Sequence, residues 1–392
     1  MDNSTRMKII QWSAYLNYHQ YYTWQQVEAL LGTRITHVVD GYEHDVLQGL
    51  GWRPIDAQDV IFIGLGKGEI ISKGLHLLRE NPEAVHVFQG IWGKREHLIL
   101  ILYALWHGIK VVIMSEPYSE SAVGYFKEEP QLVSYIKVIL RPVVYRCVST
   151  LFRLAAQHTQ PCILAISPIA QAQLVRNGFN NELVFNFGYF IPKQKSHFTI
   201  QSTLNSSRAV RLVFLGSLLR RKGLDLGIEA VKRVNLTGIK MTLDIYGSGK
   251  LDGFNDLEAS GIHYGGLIPW ENVQTILPEY DALLLPSRHD GWGLVVNEAL
   301  LQDVPVILSD RVGAGCLVLY SGAGIIFKNG NVDELVRVLM ELYANPKQLK
   351  CLKRKANEFV KETILPETGA RYFVDVVRFH FWNLGSKPAL PW

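Results

Sequence analysis

Cysteine is scarce, with Cys147, Cys162, Cys316 and Cys351 scattered over 392 residues. That is too few for a disulfide framework. Without a C-x-x-C pair they also argue against a zinc site and fit a reducing compartment. No run reaches the ~20 apolar residues that a membrane-spanning helix needs. The most apolar stretch, Leu98 to Met114, is interrupted by His107 and Lys110 and reads as a helix followed by a strand. Met1 to Tyr22 lacks the apolar block of a signal peptide, so a cytoplasmic location is expected. Charge is sparse as well: 19% of residues are charged, and 40 Lys+Arg against 36 Asp+Glu leave a net +4. So small an excess excludes nucleic acid as the expected partner but suits an anionic ligand or membrane face. Two nucleotide-binding patterns are missing. There is no G-x-x-x-x-G-K-[ST] loop, and FIGLGKGE (Phe62–Glu69) has neither the spacing nor the first-strand position of a dinucleotide fingerprint. No Asp-x-Asp is present to hold a metal-bound diphosphate.

What the chain does have is apolar surface. A hydrophobic fraction of 48% can offset chain entropy, which excludes disorder as the main state, and the length suits two domains. Short β-branched runs alternate with amphipathic stretches, the pattern of helices on a parallel sheet. Strands are expected near Ile9–Trp12, Val60–Ile63, Val85–Phe88, Val111–Met114, Ile163–Ile166 and Val184–Phe187, and again near Arg211–Leu215, Thr242–Tyr246, Ala282–Leu285, Val304–Leu308 and Ile325–Phe327. Helices are expected at Trp24–Leu31, Ile70–Arg79 and from Val332, where apolar residues recur with a 3.6-residue period. The polar stretch Pro192–Arg208 reads as a linker, dividing the chain into a domain over 1–192, a linker over 193–208 and a second domain over 209–365.

Two segments carry candidate chemistry. In DALLLPSRHDGWGLVVNEALL (Asp281–Leu301) a buried strand runs into a glycine-bearing loop, with a helix expected to begin near Gly293. Glycines allow close approach of backbone to a ligand, and the free N–H groups of a helix start attract phosphate. Glu298, about five residues into that helix, would lie ~7–8 Å beyond the anion, a fair reach for ribose hydroxyls. On spacing alone, Asp290 could equally be a cap and Glu298 a solvated residue. In RLVFLGSLLRRKGLDLGIEAV (Arg211–Val231) a strand ends at Gly216 and Arg220, Arg221 and Lys222 precede a helix, where they could neutralise a diphosphate or form a solvated loop.

Taken together, FLG, RRKG, IYGSGK, HYGG, the Asp290-x7-Glu298 pair and PVI, in that order, resemble the retaining family 4 glycosyltransferases of the GT-B fold. The resemblance covers roughly Val210 to Leu342. It implies an α/β architecture of two Rossmann-like, doubly wound parallel-sheet domains facing across a cleft, with 366–392 packing back on the first. It implies a nucleotide-sugar co-substrate; with no Asp-x-Asp, and with Arg221, Lys222 and a helix start to carry the diphosphate charge, no metal or other cofactor is expected. Arg221 and Lys222 then match the basic pair on the donor diphosphate, and Glu298 the carboxylate on the ribose. Gly216, Gly291, Trp292, Gly293, Leu294 and Val295 belong to the donor-binding loops. Asp290 stands where the family usually has Glu, which leaves the donor sugar open.

The first domain departs more from that pattern. Its first loop, WSAYLNYHQYY (Trp12–Tyr22), offers Asn17 and His19 as acceptor-side groups among rings that could stack on a sugar, although aromatic residues near a first strand are more often core. Ser115 falls where relatives carry a His, and Glu116 beside it is a candidate polar group near the reaction centre. Tyr135–Leu154, with Lys137, Arg141, Arg146 and Arg153, reads as a basic amphipathic helix broken at Pro142, able to rest on an anionic leaflet or to pack within the domain. The expected activity is hexosyl transfer from a UDP- or GDP-type donor to a glycan or lipid-linked acceptor in cell-surface polysaccharide or lipopolysaccharide synthesis, with peripheral contact at the inner membrane. A sugar-nucleotide epimerase and a silent nucleotide-sugar-binding subunit are the alternatives.

Overall fold

The computed structural model describes residues 7–14, 16, 18–39, 61–66, 68–90, 95–122, 131–194, 209–249 and 257–392. Most of the expected linker, and Asn17, lie outside them. Two parallel sheets organise the chain. The first contains β1 (Ile9–Ser13), β2 (Thr36–Val39), β3 (Ile61–Gly64), β4 (Val85–Gln89), β5 (Lys110–Ser115), β6 (Cys162–Ile166) and β7 (Val184–Phe187), in the order β3-β2-β1-β4-β5-β6-β7. The second contains β8 (Val210–Leu215), β9 (Met241–Tyr246), β10 (Ile262–Gly266), β11 (Ala282–Leu285), β12 (Val306–Ser309) and β13 (Gly324–Phe327), in the order β10-β9-β8-β11-β12-β13. Each order reverses beside its first strand, and such reversals open a crevice at the carboxyl ends of the strands. The central strands are mostly apolar and buried, with Gln11 and Ser13 of β1 and His86 of β4 as buried polar exceptions, because helices cover both faces of the sheet.

Helices α1 (Tyr18–Leu31), α2 (Ile70–Glu80), α3 (Arg95–Trp106), α4 (Gln131–Ala155) and α5 (Pro168–Arg176) flank the first sheet. In the second half follow α6 (Leu224–Leu236), α7 (Trp270–Ile276), α8 (Val295–Leu301), α9 (Gly315–Ser321), α10 (Val332–Ala344) and α11 (Pro346–Thr363). The final helix, α12 (Pro366–Trp382), returns to the first half and packs on α1, with Trp24 edge-on to Phe373 at 5.1 Å. The chain therefore crosses between the halves twice. The crossings touch where the Ile191 amide donates to the Ile364 carbonyl at 3.3 Å.

Three expectations are corrected. Strands β2 and β10 were not anticipated. Helix α1 begins at Tyr18 rather than Trp24; of the two readings of the first-loop rings, core holds for Trp12, fully buried and stacked on Phe88, and for Tyr21, buried within α1. Pro142 does not break the helix around it, for α4 is continuous through it. An interior proline costs about 3 kcal/mol. Here Ser134, Tyr145, Val148, Phe152 and Ala155 form a buried stripe on one face that anchors the helix on both sides of Pro142, and Arg141 adds a 2.9 Å bond to the Ser119 carbonyl.

Candidate active site

The cations come first in the second half. After β8, a 3-10 turn carries Arg220–Lys222 and closes on Gly223 in the left-handed region (φ 68°). Glycine is required there twice over, since a Cβ would also drive into the Pro286 carbonyl. The loop after β11 locks this turn in place. The Arg288 amide donates to the Arg221 carbonyl at 2.7 Å, and the Arg288 guanidinium grips Asp225 through two bonds of 2.6 Å. Such bidentate pairing fixes direction as well as distance. Lys222 Nζ meets Asp290 Oδ2 at 2.5 Å, with only 13% and 10% of the two side chains exposed. Asp290 is further pinned through its backbone, which bridges to Val312 and donates to the Arg311 carbonyl at 3.0 Å.

Beside this pair lies a cavity of about 270 Å³ at the carboxyl ends of β8 and β9. Gly216, Arg221, Lys222, Gly293, Leu294, Val295 and Glu298 line it, joined by Tyr246, Leu267, Ile268 and Trp270. The structure thus gathers seven of the sequence-derived donor residues around one space. Asp290 reaches it through Lys222. Gly291 instead faces across the cleft to Glu116, whose carboxylate leaves no room for a Cβ, and the Trp292 ring is buried away from the cavity. The α8 helix begins at Val295, not Gly293, so Glu298 is its fourth residue and ~4–5 Å from its start rather than 7–8 Å. Burial pushes the Glu298 carboxyl up to about 8.

The opposite wall comes from the first sheet. Glu116 follows β5 and accepts a hydrogen bond from the Tyr189 hydroxyl at 2.5 Å. The cleft walls hold the Glu116 carboxyl above the ordinary range; Tyr189 opposes that shift, and the Asp290 charge adds to it. The His19 ring lies 4.9 Å from the Tyr189 ring, and burial lowers its imidazole to about 3, keeping it neutral. Tyr189 joins these acceptor-side candidates to the segment after β11, because its carbonyl accepts from Asn297 Nδ2 at 2.8 Å while Asn297 Oδ1 accepts from the Trp292 indole at 2.7 Å. Tyr189, Tyr246 and Trp270 were missed from the sequence. Only Tyr246 had a signal, its place at a strand end before a glycine. Among the described residues, no group of three His, Cys, Asp or Glu is placed to hold a metal ion.

Residues 197–359 match the family model of glycosyl transferases group 1. This part of the chain is therefore similar to the group 1 glycosyltransferases. An uncharacterised glycosyltransferase of Methanocaldococcus jannaschii is 26% identical over 199 residues, 49% of each chain. The amylovoran biosynthesis glycosyltransferase AmsK of Erwinia amylovora is 26% identical over 203 residues, 48% of this chain and 49% of that one. The alpha-galactosylglucosyldiacylglycerol synthase of Streptococcus pneumoniae is 24% identical over 225 residues, 51% and 56% of the two chains. The chain spans about half the length of the curated relatives it matches. Solved structures match over nearly its whole length. WaaG, a glycosyltransferase involved in lipopolysaccharide biosynthesis, superposes with a TM-score of 0.63 at 16% identity, covering 94% of this chain and 99% of that one. Anabaena HepE in complex with UDP-glucose gives 0.66 at 14% identity, covering 95% and 99%. The fold is GT-B, and the match to group 1 falls on the half that carries the cationic turn, Asp290 and Glu298.

Proposed function

We propose that the protein transfers a hexose from a nucleotide sugar, UDP- or GDP-linked, to a hydroxyl of a glycan or lipid-linked acceptor in cell-surface polysaccharide synthesis, with retention at the anomeric carbon. The observation that carries this reading is the convergence of Arg221, Lys222 and Glu298 on one cavity at the strand ends of the half that matches group 1. In this reading Arg221 and Lys222 meet the diphosphate, and Glu298, once ionised, accepts from the ribose hydroxyls. As the bond between the anomeric carbon and the phosphate oxygen breaks, the two cations stabilise the growing negative charge; that differential stabilisation supplies the rate. The acceptor hydroxyl bonds to the anomeric carbon on the departing face and gives its proton to the leaving phosphate oxygen. Glu116, Tyr189 and His19 face the acceptor. Two cations by the diphosphate make a metal unnecessary, so turnover persists in EDTA.

The test is turnover of a panel of UDP- and GDP-hexoses with and without lipid-linked and soluble glycan acceptors, with product configuration read by NMR. Acceptor-dependent product of retained configuration is expected. An inverted product, an altered free sugar without acceptor, or a donor bound but left intact would replace this reading with an inverting transferase, an epimerase or a binding subunit, respectively.

The acceptor's character bears on α4. Its buried stripe leaves an outward one of Leu132, Ile136, Ile139, Val143 and Leu154, exposed by 71, 46, 68, 51 and 61%. Residues 131–155 contain no Asp or Glu, and Lys137, Arg141, Arg146 and Arg153 lie among them. Helical spacing sets Arg146 and Arg153 beside the outward stripe, while Arg141 is held on the Ser119 carbonyl; an apolar stripe flanked by such cations suits an anionic lipid surface, where each contributes ~1 kcal/mol, although no helix among the described residues is long and apolar enough to cross a membrane. Sedimentation with phosphatidylglycerol vesicles, weakened by salt and abolished in Ile139→Glu, is the expected result. Equal recovery in the supernatant with and without vesicles would remove the membrane from the proposal.

A further inference from the structure

Beyond α12 the chain runs without regular structure back along edge strand β7. Asn383 closes α12 in the left-handed region, Lys387 lies over the Phe185 ring at 5.4 Å, and Trp392 arrives beside Gly188 at the other end of the strand. Most of this segment is exposed, yet Trp392 is only 6% exposed. Its indole sits 5.8 Å from the Phe190 ring and 5.9 Å from the Trp292 ring. A side chain at Gly188 would exclude both indoles, its Cβ falling 2.8 Å from Trp292 Cζ2 and 3.0 Å from Trp392 Cη2.

Trp292 belongs to the loop that forms the cavity wall, so whatever fixes its ring fixes that wall. Three contacts do so: the indole N–H on Asn297, the Tyr189 ring at 6.1 Å and the Trp392 ring. The first two arise from the donor half itself and from the crossing segment. The third comes from a segment carried by the first half, through α12. Phe190 backs Trp392 in turn, pressed so closely on α12 that Gly369 there has no room for a side chain. A rigid aromatic column thus leads from the first half to the donor loop, and close-packed rings transmit displacement rather than absorb it.

We propose that Trp392 is a positioning residue for the donor site, holding Trp292 and so setting the geometry of residues 293–298. Only the identity of the ligand rests on the nucleotide-sugar reading. The test uses the full chain with Trp392→Ala and Trp392→Phe and two readouts. In the unliganded protein, amides of 291–301 exchange hydrogen about tenfold faster in Trp392→Ala, while the core of the first sheet exchanges as in wild type. In the second readout, donor affinity falls about tenfold, equivalent to ~1.4 kcal/mol. The phenylalanine variant keeps a ring in the gap and recovers most of both effects. Unchanged exchange at 291–301 in Trp392→Ala overturns the proposal, as does faster exchange throughout the first sheet, which marks a merely structural role. If wild type binds no donor, the nucleotide-sugar reading fails, and the exchange readout still decides the role of Trp392.

Discussion

Glu298→Gln is expected to weaken nucleotide binding by one to two orders of magnitude at pH 8 and above, and to flatten a pH dependence that the wild type shows. In the folded protein burial raises the Glu298 carboxyl to about 8, so it is largely protonated at neutral pH. Ribose hydroxyls donate to the ionised form, at ~1.5–3 kcal/mol for a bond to a charged group. Binding below pH 8 must therefore expel a proton, and affinity falls by up to about tenfold per pH unit as the solution becomes more acid. Stability moves the other way. A carboxyl whose folded value is raised favours folding fully below its unfolded value of about 4.5, and that contribution is lost as pH rises through about 8. Titration calorimetry in buffers of different ionisation enthalpy reads the proton directly. Equal heats in all buffers at pH 7, or a glutamine variant that binds as wild type does, would show that Glu298 does not meet the ligand.

Lys222→Ala should lose both stability and affinity, for separable reasons. Its ammonium and the Asp290 carboxylate are mutually compensated inside the protein. Removing one partner of a buried pair leaves the other charge uncompensated, a loss of about 3–5 kcal/mol. Removing its bond to a diphosphate costs ~1.5–3 kcal/mol, about tenfold to a hundredfold in affinity. The double variant Lys222→Ala with Asp290→Asn separates the terms, because it discharges the orphaned carboxylate without restoring a cation. Thermal unfolding should recover in the double variant, while donor affinity stays low. If affinity recovered together with stability, Lys222 would be a structural cation and the diphosphate would lie elsewhere.

The sheets were legible where both faces are buried, since runs such as Val111–Met114 and Ala282–Leu285 are apolar without interruption. The two missed strands break that rule for physical reasons. β2 is four residues long and begins with Thr36 and His37, the latter buried but paired at 3.0 Å with Gln11 Oε1, which leaves only Val38 and Val39 as an apolar run. β10 is an edge strand with His263, Tyr264 and Gly265 exposed, and carries almost no burial signal. Pro142 misled because propensity is local, whereas the stripe anchoring α4 is tertiary. In the site, Arg221, Lys222 and Glu298 were readable because local motifs carry them. Tyr189 was not, since its partner Glu116 is 73 residues away and no spacing encodes that meeting. The same holds for Lys222 and Asp290, 68 residues apart and each prominent alone.

The paired crossings at Ile191 and Ile364 constrain how the molecule can move. A lone tether would let the halves swivel freely, whereas two adjacent segments joined by a hydrogen bond restrict how the halves can turn against each other. Such a joint limits sliding of one cleft edge along the other, and so protects the facing of Glu116 and Gly291 across it.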